Sequence, residues 1–395
     1  MSLFLRDARV VPGDGSPVLP GAHVRIEGDR IAEVDAAARI APGPGDVVID
    51  VGGRVLLPGF VDAHTHAMWA GDRVGELDLQ LAGASYLDIL RAGGGILATV
   101  RAVRAATAED LRDGLRLRLG RMLREGTTTV EVKSGYGLST EHELKMLRAI
   151  HEAARAFPGP VVPTALLGHA LDPAEPRFVE RVVEETLPAV HAEFPGVTVD
   201  AFCEEGAWSV ADCRRLLERA RALGHHVRLH ADQFHRLGGL DLALSVGADS
   251  VDHLEASRPE DLARLAGGGV PGVMLPATGF HTDGRYGDAR ALLGAGGRLV
   301  IATNCNPGSS PTSSMPFVIA LARRKLRLTT EEAIAGCTVH AAALLRLPDR
   351  GRIAPGLRAD LIVLAHRDER QLGYEIGGNP VETVIVAGRP FGLSD

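Results

Sequence analysis

The chain has 395 residues, 45% of them hydrophobic, which is enough to bury a large core and excludes wholesale disorder. A net charge of -7, with Lys and Arg dispersed among Asp and Glu, excludes the basic footprint of a nucleic-acid binder, and no apolar run reaches the roughly 18 residues of a membrane span. Cys203, Cys213, Cys305 and Cys337 have no paired spacing and the N-terminus no apolar leader, so a disulfide framework, a thiolate zinc site and secretion are disfavoured and a cytoplasmic location is expected.

In chain order, the first sixty residues read as short strands between turns: His23 to Ile26, Ile31 to Val34, Val47 to Val51 and Val55 to Leu57. The same texture returns at Ala359 to Leu364 and Thr383 to Val386. Neither end alone carries enough strand for a core, so the two are expected to form one small β-sandwich from residues 1–58 and 352–395.

Between them, over 59–351, short apolar runs alternate with long Ala/Leu/Arg/Glu stretches of helical period, the pattern of repeated βα units. Eight strands are predicted: Phe60 to His66, Thr128 to Lys133, Val161 to Gly168, Val197 to Glu204, His226 to His230, Ser250 to Leu254, Gly272 to Thr278 and Leu299 to Asn304. Eight such units predict a TIM-type (β/α)8 barrel. The long link between the first two strands contains Gly93-Gly94-Gly95 and is expected to shape a pocket. The run from Arg101 to Arg124, with acids interleaved, reads as a solvated helix face.

His64 and His66 stand two apart at the exit of the first barrel strand, so strand alternation turns both to one face. His169, His230 and His253 occupy equivalent exits after strands three, five and six. Barrel enzymes place their chemistry at this C-terminal mouth, and converging neutral imidazoles suit Zn or Fe rather than the oxygen-seeking Mg or Ca. His225, His226, His235, His142, His151, His191 and His366 have no matching exits and are read as structural or surface positions.

Pro-Gly-Phe-Val-Asp-Ala-His-Thr-His at 58–66, followed by single strand-end histidines, resembles the metal-dependent amidohydrolases. Within them, three further stretches are similar to the imidazolonepropionases: 85–96, with Ser85, Tyr86 and the glycine triplet; Glu131-Val132-Lys133-Ser134-Gly135-Tyr136-Gly137; and Asn306-Pro307-Gly308-Ser309-Ser310. The resemblance implies hydrolysis of the ring C–N bond of 4-imidazolone-5-propanoate to N-formimino-L-glutamate by water activated on one divalent metal ion, zinc or iron. It implies metal binding by His64, His66, His230 and position 304, with His253 and His169 steadying the oxyanion or moving protons. Arg73 would pair with the propionate beside Tyr136, while Tyr86, His169, Asn306, Gly308 and Ser309 would contact the substrate. A homodimer is implied as well, with no nucleic acid or membrane partner.

Two positions depart from the family pattern. Gln233 stands where some members carry glutamate. Asn304 stands where an aspartate ligand and base is expected, which removes a charge and a proton acceptor and leaves His253 as the candidate base. Two alternatives stay open on sequence alone: a related mononuclear amidohydrolase or deaminase acting on another cyclic amide, and a binding protein weakened by Asn304. No lysine stands near the fourth strand to bridge a second ion, which favours one metal.

Overall fold

A computed structural model describes residues 2–84, 88–89 and 93–391. Both ends of the chain build one eight-stranded sheet: β1 (Ser2–Val10), β2 (Leu19–Glu27), β3 (Arg30–Asp35), β4 (Val47–Asp50) and β5 (Val55–Pro58) from the first end, then β14 (Leu361–Leu364), β15 (Val381–Val386) and β16 (Arg389–Phe391) from the second. β5 joins the two halves, running parallel to β1 and antiparallel to β14. Period-2 alternation gives the joining strands two apolar faces: Leu56, Leu361, Val363 and Ile385 enter the sheet's own core, whereas Val55, Leu57, Ile362, Leu364 and Val384 pack into the barrel cluster.

β1 escapes the sequence reading because Arg6, Asp7 and Arg9 interrupt its alternation. A register shift between Leu5 and Ala8, with Asp7 at φ 53°, absorbs them as a bulge.

The middle of the chain forms a second eight-stranded sheet, all parallel and in chain order: β6 (Phe60–Asp62), β7 (Thr127–Lys133), β8 (Val161–Gly168), β9 (Thr198–Cys203), β10 (Val227–Ala231), β11 (Val251–His253), β12 (Gly272–Met274) and β13 (Leu299–Ile301). All eight expected strands are present. Their outward residues, among them Val130, Val132, Val199, Ala201, Leu229 and Val251, meet the surrounding helices, while the alternate positions carry Glu131, Lys133, Asp200, Arg228, His230 and Asp252, all buried. The barrel is therefore apolar outside and charged within.

Closure falls at the site itself. β6 and β13 share no ladder; instead Asn304 N donates to His64 O at 3.0 Å and His66 N to Cys305 O at 3.0 Å. Burial pushes the Asp62 carboxyl up to about 7, and it accepts from Thr303 N at 3.1 Å and Thr303 Oγ1 at 2.5 Å across the same seam.

The first, seventh and eighth strands end earlier than expected. Pro276 opens a helix (Pro276–His281) where strand was predicted, so β12 stops at Met274 and the β12–β13 ladder ends with the pair Met274 and Ile301.

The Arg101 to Arg124 run forms two helices (Ile96–Ala105 and Ala108–Arg124), the second opened by a Thr107/Asp110 capping box. Not all of it is solvated. Arg118 turns inward over the Trp69 ring at 3.4 Å and donates to Ala67 O at 3.0 Å, which pins the turn after His66, and Arg104 donates to Gly137 O and Leu138 O. The reading of a purely solvent-facing arginine run is corrected accordingly: unsatisfied loop carbonyls recruit these two guanidinium groups.

Candidate active site and metal centre

His64, His66 and His230 converge: one ring nitrogen from each lies within 4.8 Å of the others, and all three side chains are buried. His66 Nε2 and His230 Nε2 stand 3.3 Å apart. Two nitrogens bound to one ion at about 2.0–2.1 Å in a tetrahedral array stand about 3.4 Å apart, so the spacing fits a shared cation. His64 Nε2 is buried with no hydrogen-bond partner, as is Asn304 Oδ1. Orphaned buried acceptors are costly unless something fills the space between them, and a divalent cation does so.

Protonation favours the same use. Burial, reinforced by Lys133, holds the His64 imidazole well below its ordinary range, and burial together with His169 does so for His66. Burial also lowers His230, against the opposing pull of Asp200. Neutral imidazoles are the ligating form.

Carboxylates behind the ligands set their tautomers. Asp252 Oδ2 lies 2.6 Å from His64 Nδ1, and Asp200 Oδ1 lies 3.1 Å from His230 Nδ1. Each accepts a hydrogen bond from an Nδ1–H and leaves the Nε2 lone pair facing the centre. Burial alone would raise Asp200, yet His230, Lys133 and Arg228 bring it well below the usual carboxylate range. Lys133 Nζ bonds Glu131 at 2.7 Å and Asp200 at 2.9 Å, while Arg228 bonds Asp252 at 2.5 Å, Ser250 Oγ at 2.9 Å and Ala63 O at 2.8 Å.

Asp200, Asp252, Lys133, Arg228 and Glu131 were not singled out for the site from the sequence. The available signal was a charged residue within otherwise apolar strands: Arg228 two positions before His230, Asp252 beside His253, Glu131 and Lys133 two apart on β7, and Asp200 alone on β9.

A cavity at the cluster is lined by His66, His230, His253, His169, Gln233 and Asn304, together with Arg73, Tyr136, Asn306, Gly308 and Ser309. Of the expected substrate contacts, Tyr86 lies outside the described residues.

His169 Nδ1 faces Gly135 O at 2.9 Å and its ring stacks on His66 at 5.0 Å, with Tyr136 5.0 Å away. Tyr136 rides a loop anchored by Glu143, whose buried carboxylate accepts from Gly135 N, Gly137 N and Leu138 N at 2.7–3.0 Å. His253 takes φ 89° and Leu254 φ 71°, left-handed conformations that aim the histidine ring to within 5.5 Å of His230. Its Nδ1 faces Glu255 at 3.3 Å.

Asn304 donates Nδ2 to Thr278 Oγ1 at 2.8 Å, which leaves Oδ1 as the atom free for a ligand. The Asn306 amide is engaged by its own loop: Oδ1 accepts from Gly308 N at 2.8 Å and Ser309 N at 2.7 Å, and Nδ2 donates to Asn304 O at 2.6 Å.

The match to known proteins decides the family. The amidohydrolase family model matches residues 55–390. The chain is 47% identical over 382 residues to an imidazolonepropionase of Herpetosiphon aurantiacus, covering 93% of this chain and 89% of that protein. The chain belongs to the amidohydrolase family, among the imidazolonepropionases.

A relative of the same name from Symbiobacterium thermophilum is 42% identical, with 98% and 91% of the two chains covered, and one from Deinococcus radiodurans 44%, with 94% and 92%. Among solved structures, 5-methylcytosine deaminase from Klebsiella pneumoniae is similar at a TM-score of 0.76 and 17% identity over 98% and 97% of the chains. An N-isopropylammelide isopropylaminohydrolase from Burkholderia multivorans gives 0.72 and 20% over 98% and 97%. These structural neighbours share the fold. The family and the histidine and aspartate groups together imply a metal-dependent hydrolase of C–N bonds.

Proposed function

We propose that the chain is an imidazolonepropionase, hydrolysing 4-imidazolone-5-propanoate to N-formimino-L-glutamate. The observation that carries this is near full-length identity above 40% to proteins of that name, joined to a buried three-histidine cluster opening on a polar pocket. We assign one divalent ion, zinc or iron, to His64, His66 and His230, with Asn304 Oδ1 as fourth donor. When bound, the ion supplies a water of lowered pKa and polarises the ring carbonyl.

The chain's own groups then divide the work. Arg73 takes the propionate through its forked donors, and Tyr136 and His169 hold the imidazolone ring at its edge. His253 Nε2 accepts a proton as water adds to the ring carbonyl and returns it to the ring nitrogen as the C–N bond breaks. His169, whose Nδ1–H donates to Gly135 O, presents Nε2 as an acceptor to a ring N–H of the substrate. Gln233 orients the substrate, and Gly308 and Ser309 close the carboxylate end beside Asn306. Asp200 and Asp252 keep the ligating rings in one tautomer.

This reading extends to one barrel unit of 59–351 with a composite β unit of 1–58 and 352–395, and to a cytoplasmic homodimer. Four buried, unpaired cysteines support a reducing compartment, and among the described residues no helix is long and apolar enough to cross a membrane.

The test is turnover by purified, metal-loaded protein with the product identified. N-formimino-L-glutamate is the expected product. Turnover of another cyclic amide or an aminopyrimidine, with none of imidazolonepropionate, discards the substrate assignment.

A further inference from the structure

Arg73 does not stand alone in the pocket. Its Nε and Nη2 both donate to one oxygen of Glu76, at 2.9 and 2.7 Å, and both side chains are only about an eighth exposed. The other oxygen of Glu76 accepts Gly95 N at 2.7 Å. Gly95 has φ 66°, a conformation that favours glycine, and opens the helix Ile96–Ala105. On the far side, the Arg73 guanidinium lies on Gly308, where an added Cβ would stand 2.0 Å from Nη1.

A guanidinium offers two bidentate edges, one through Nε and Nη2 and one through Nη1 and Nη2. Glu76 consumes the first. The second is the edge left for a ligand, and the loop at Gly308 limits the direction from which a carboxylate reaches it.

We propose that Glu76 is a positioning and specificity residue: it fixes which edge of Arg73 meets the substrate carboxylate and ties that edge to the glycine turn at 93–95. The inference rests on the reading of Arg73 as the carboxylate ligand. Both oxygens of Glu76 are used, on donors from two different segments, so its full reach matters as well as its charge. A shorter side chain that keeps the charge cannot span both partners.

The experiment is a double-substitution cycle with Arg73→Ala, Glu76→Asp and the pair, reading KM and kcat for imidazolonepropionate in the metal-loaded enzyme, with metal content and Tm measured on each variant. Expected are a KM rise of roughly tenfold for Glu76→Asp, a kcat within about threefold, and a change below about twofold when the same substitution is made on Arg73→Ala. Should Glu76→Asp fail to fold, Glu76→Gln enters the same cycle, since an amide has one acceptor oxygen for three donors on two segments; its KM change must likewise vanish on Arg73→Ala.

An unchanged KM for the Glu76 variant, or an effect fully additive with Arg73→Ala, overturns the proposal while leaving the carboxylate reading intact. An unchanged KM for Arg73→Ala itself overturns the carboxylate reading and takes this proposal with it.

Discussion

Asp252 Oδ2 lies 2.6 Å from His64 Nδ1 and is itself held by Arg228 at 2.5 Å, so one buried carboxylate orients a ligating ring while a guanidinium orients the carboxylate. Replacing it by an amide keeps the shape and loses the charge. Asp252→Asn is expected to weaken metal affinity about 10- to 100-fold, read by chelator competition on the folded protein. Affinity unchanged from the parent contradicts the tautomer-setting role.

In the proposed ligand set Asn304 supplies a neutral oxygen where aspartate would supply a charged one. Asn304→Asp is expected to tighten metal binding by about tenfold or more, because the other proposed donors, His64, His66 and His230, are neutral imidazoles and are buried. Isothermal titration of metal-free protein measures it. Equal affinities place position 304 outside the coordination sphere.

Lys133 sits fully buried between Glu131 and Asp200. Lys133→Met removes the cation bonded to both carboxylates and leaves Arg228, 3.7 Å from Glu131, as the nearby positive charge, a loss of about 3 kcal/mol by analogy with broken buried pairs. Denaturant unfolding of the metal-free protein reads this directly, and a loss below about 1 kcal/mol contradicts the network as described.

Burial and the nearby His230 hold His169 down from the usual 6.5 to about 3. A depressed imidazole means the unfolded chain binds the proton first, so this group's stabilisation is present above pH 6.5 and is lost as pH falls toward 3. Tm of the metal-free protein should drop on acidification through this window, and drop less steeply in His169→Asn. Identical slopes for the two proteins refute the assignment.

Gly308→Ala places a methyl group where the Arg73 guanidinium lies. KM is expected to rise roughly tenfold with a smaller change in kcat, because the displaced group binds the far end of the substrate. Steady-state kinetics beside a check of metal content decides it.

The strand-end histidines were readable because period-2 alternation and the βα rhythm place them at one mouth, and all eight barrel strands follow from the same rhythm. Strand ends were less readable. His253 and Asn304 adopt left-handed backbone that no local pattern announces; His253 ends its strand one residue before the predicted Leu254, and the eighth strand stops at Ile301, short of Asn304. Nor did the sequence expose the ionic floor of Lys133, Glu131, Asp200, Arg228 and Asp252, since its partners come from four strands and pair only once the barrel curls. Arg73 was singled out through family resemblance, and Glu76 stands only three residues on, whereas the bond that ties Glu76 to Gly95 joins a helix start to a distant loop and appears only in three dimensions.

Anomalous diffraction from crystals of the metal-loaded protein tests the central claim most directly. One peak per chain is expected, about 2.0–2.2 Å from a ring nitrogen of each of His64, His66 and His230. A peak elsewhere, or full turnover in crystals with no metal between those three rings, would contradict it.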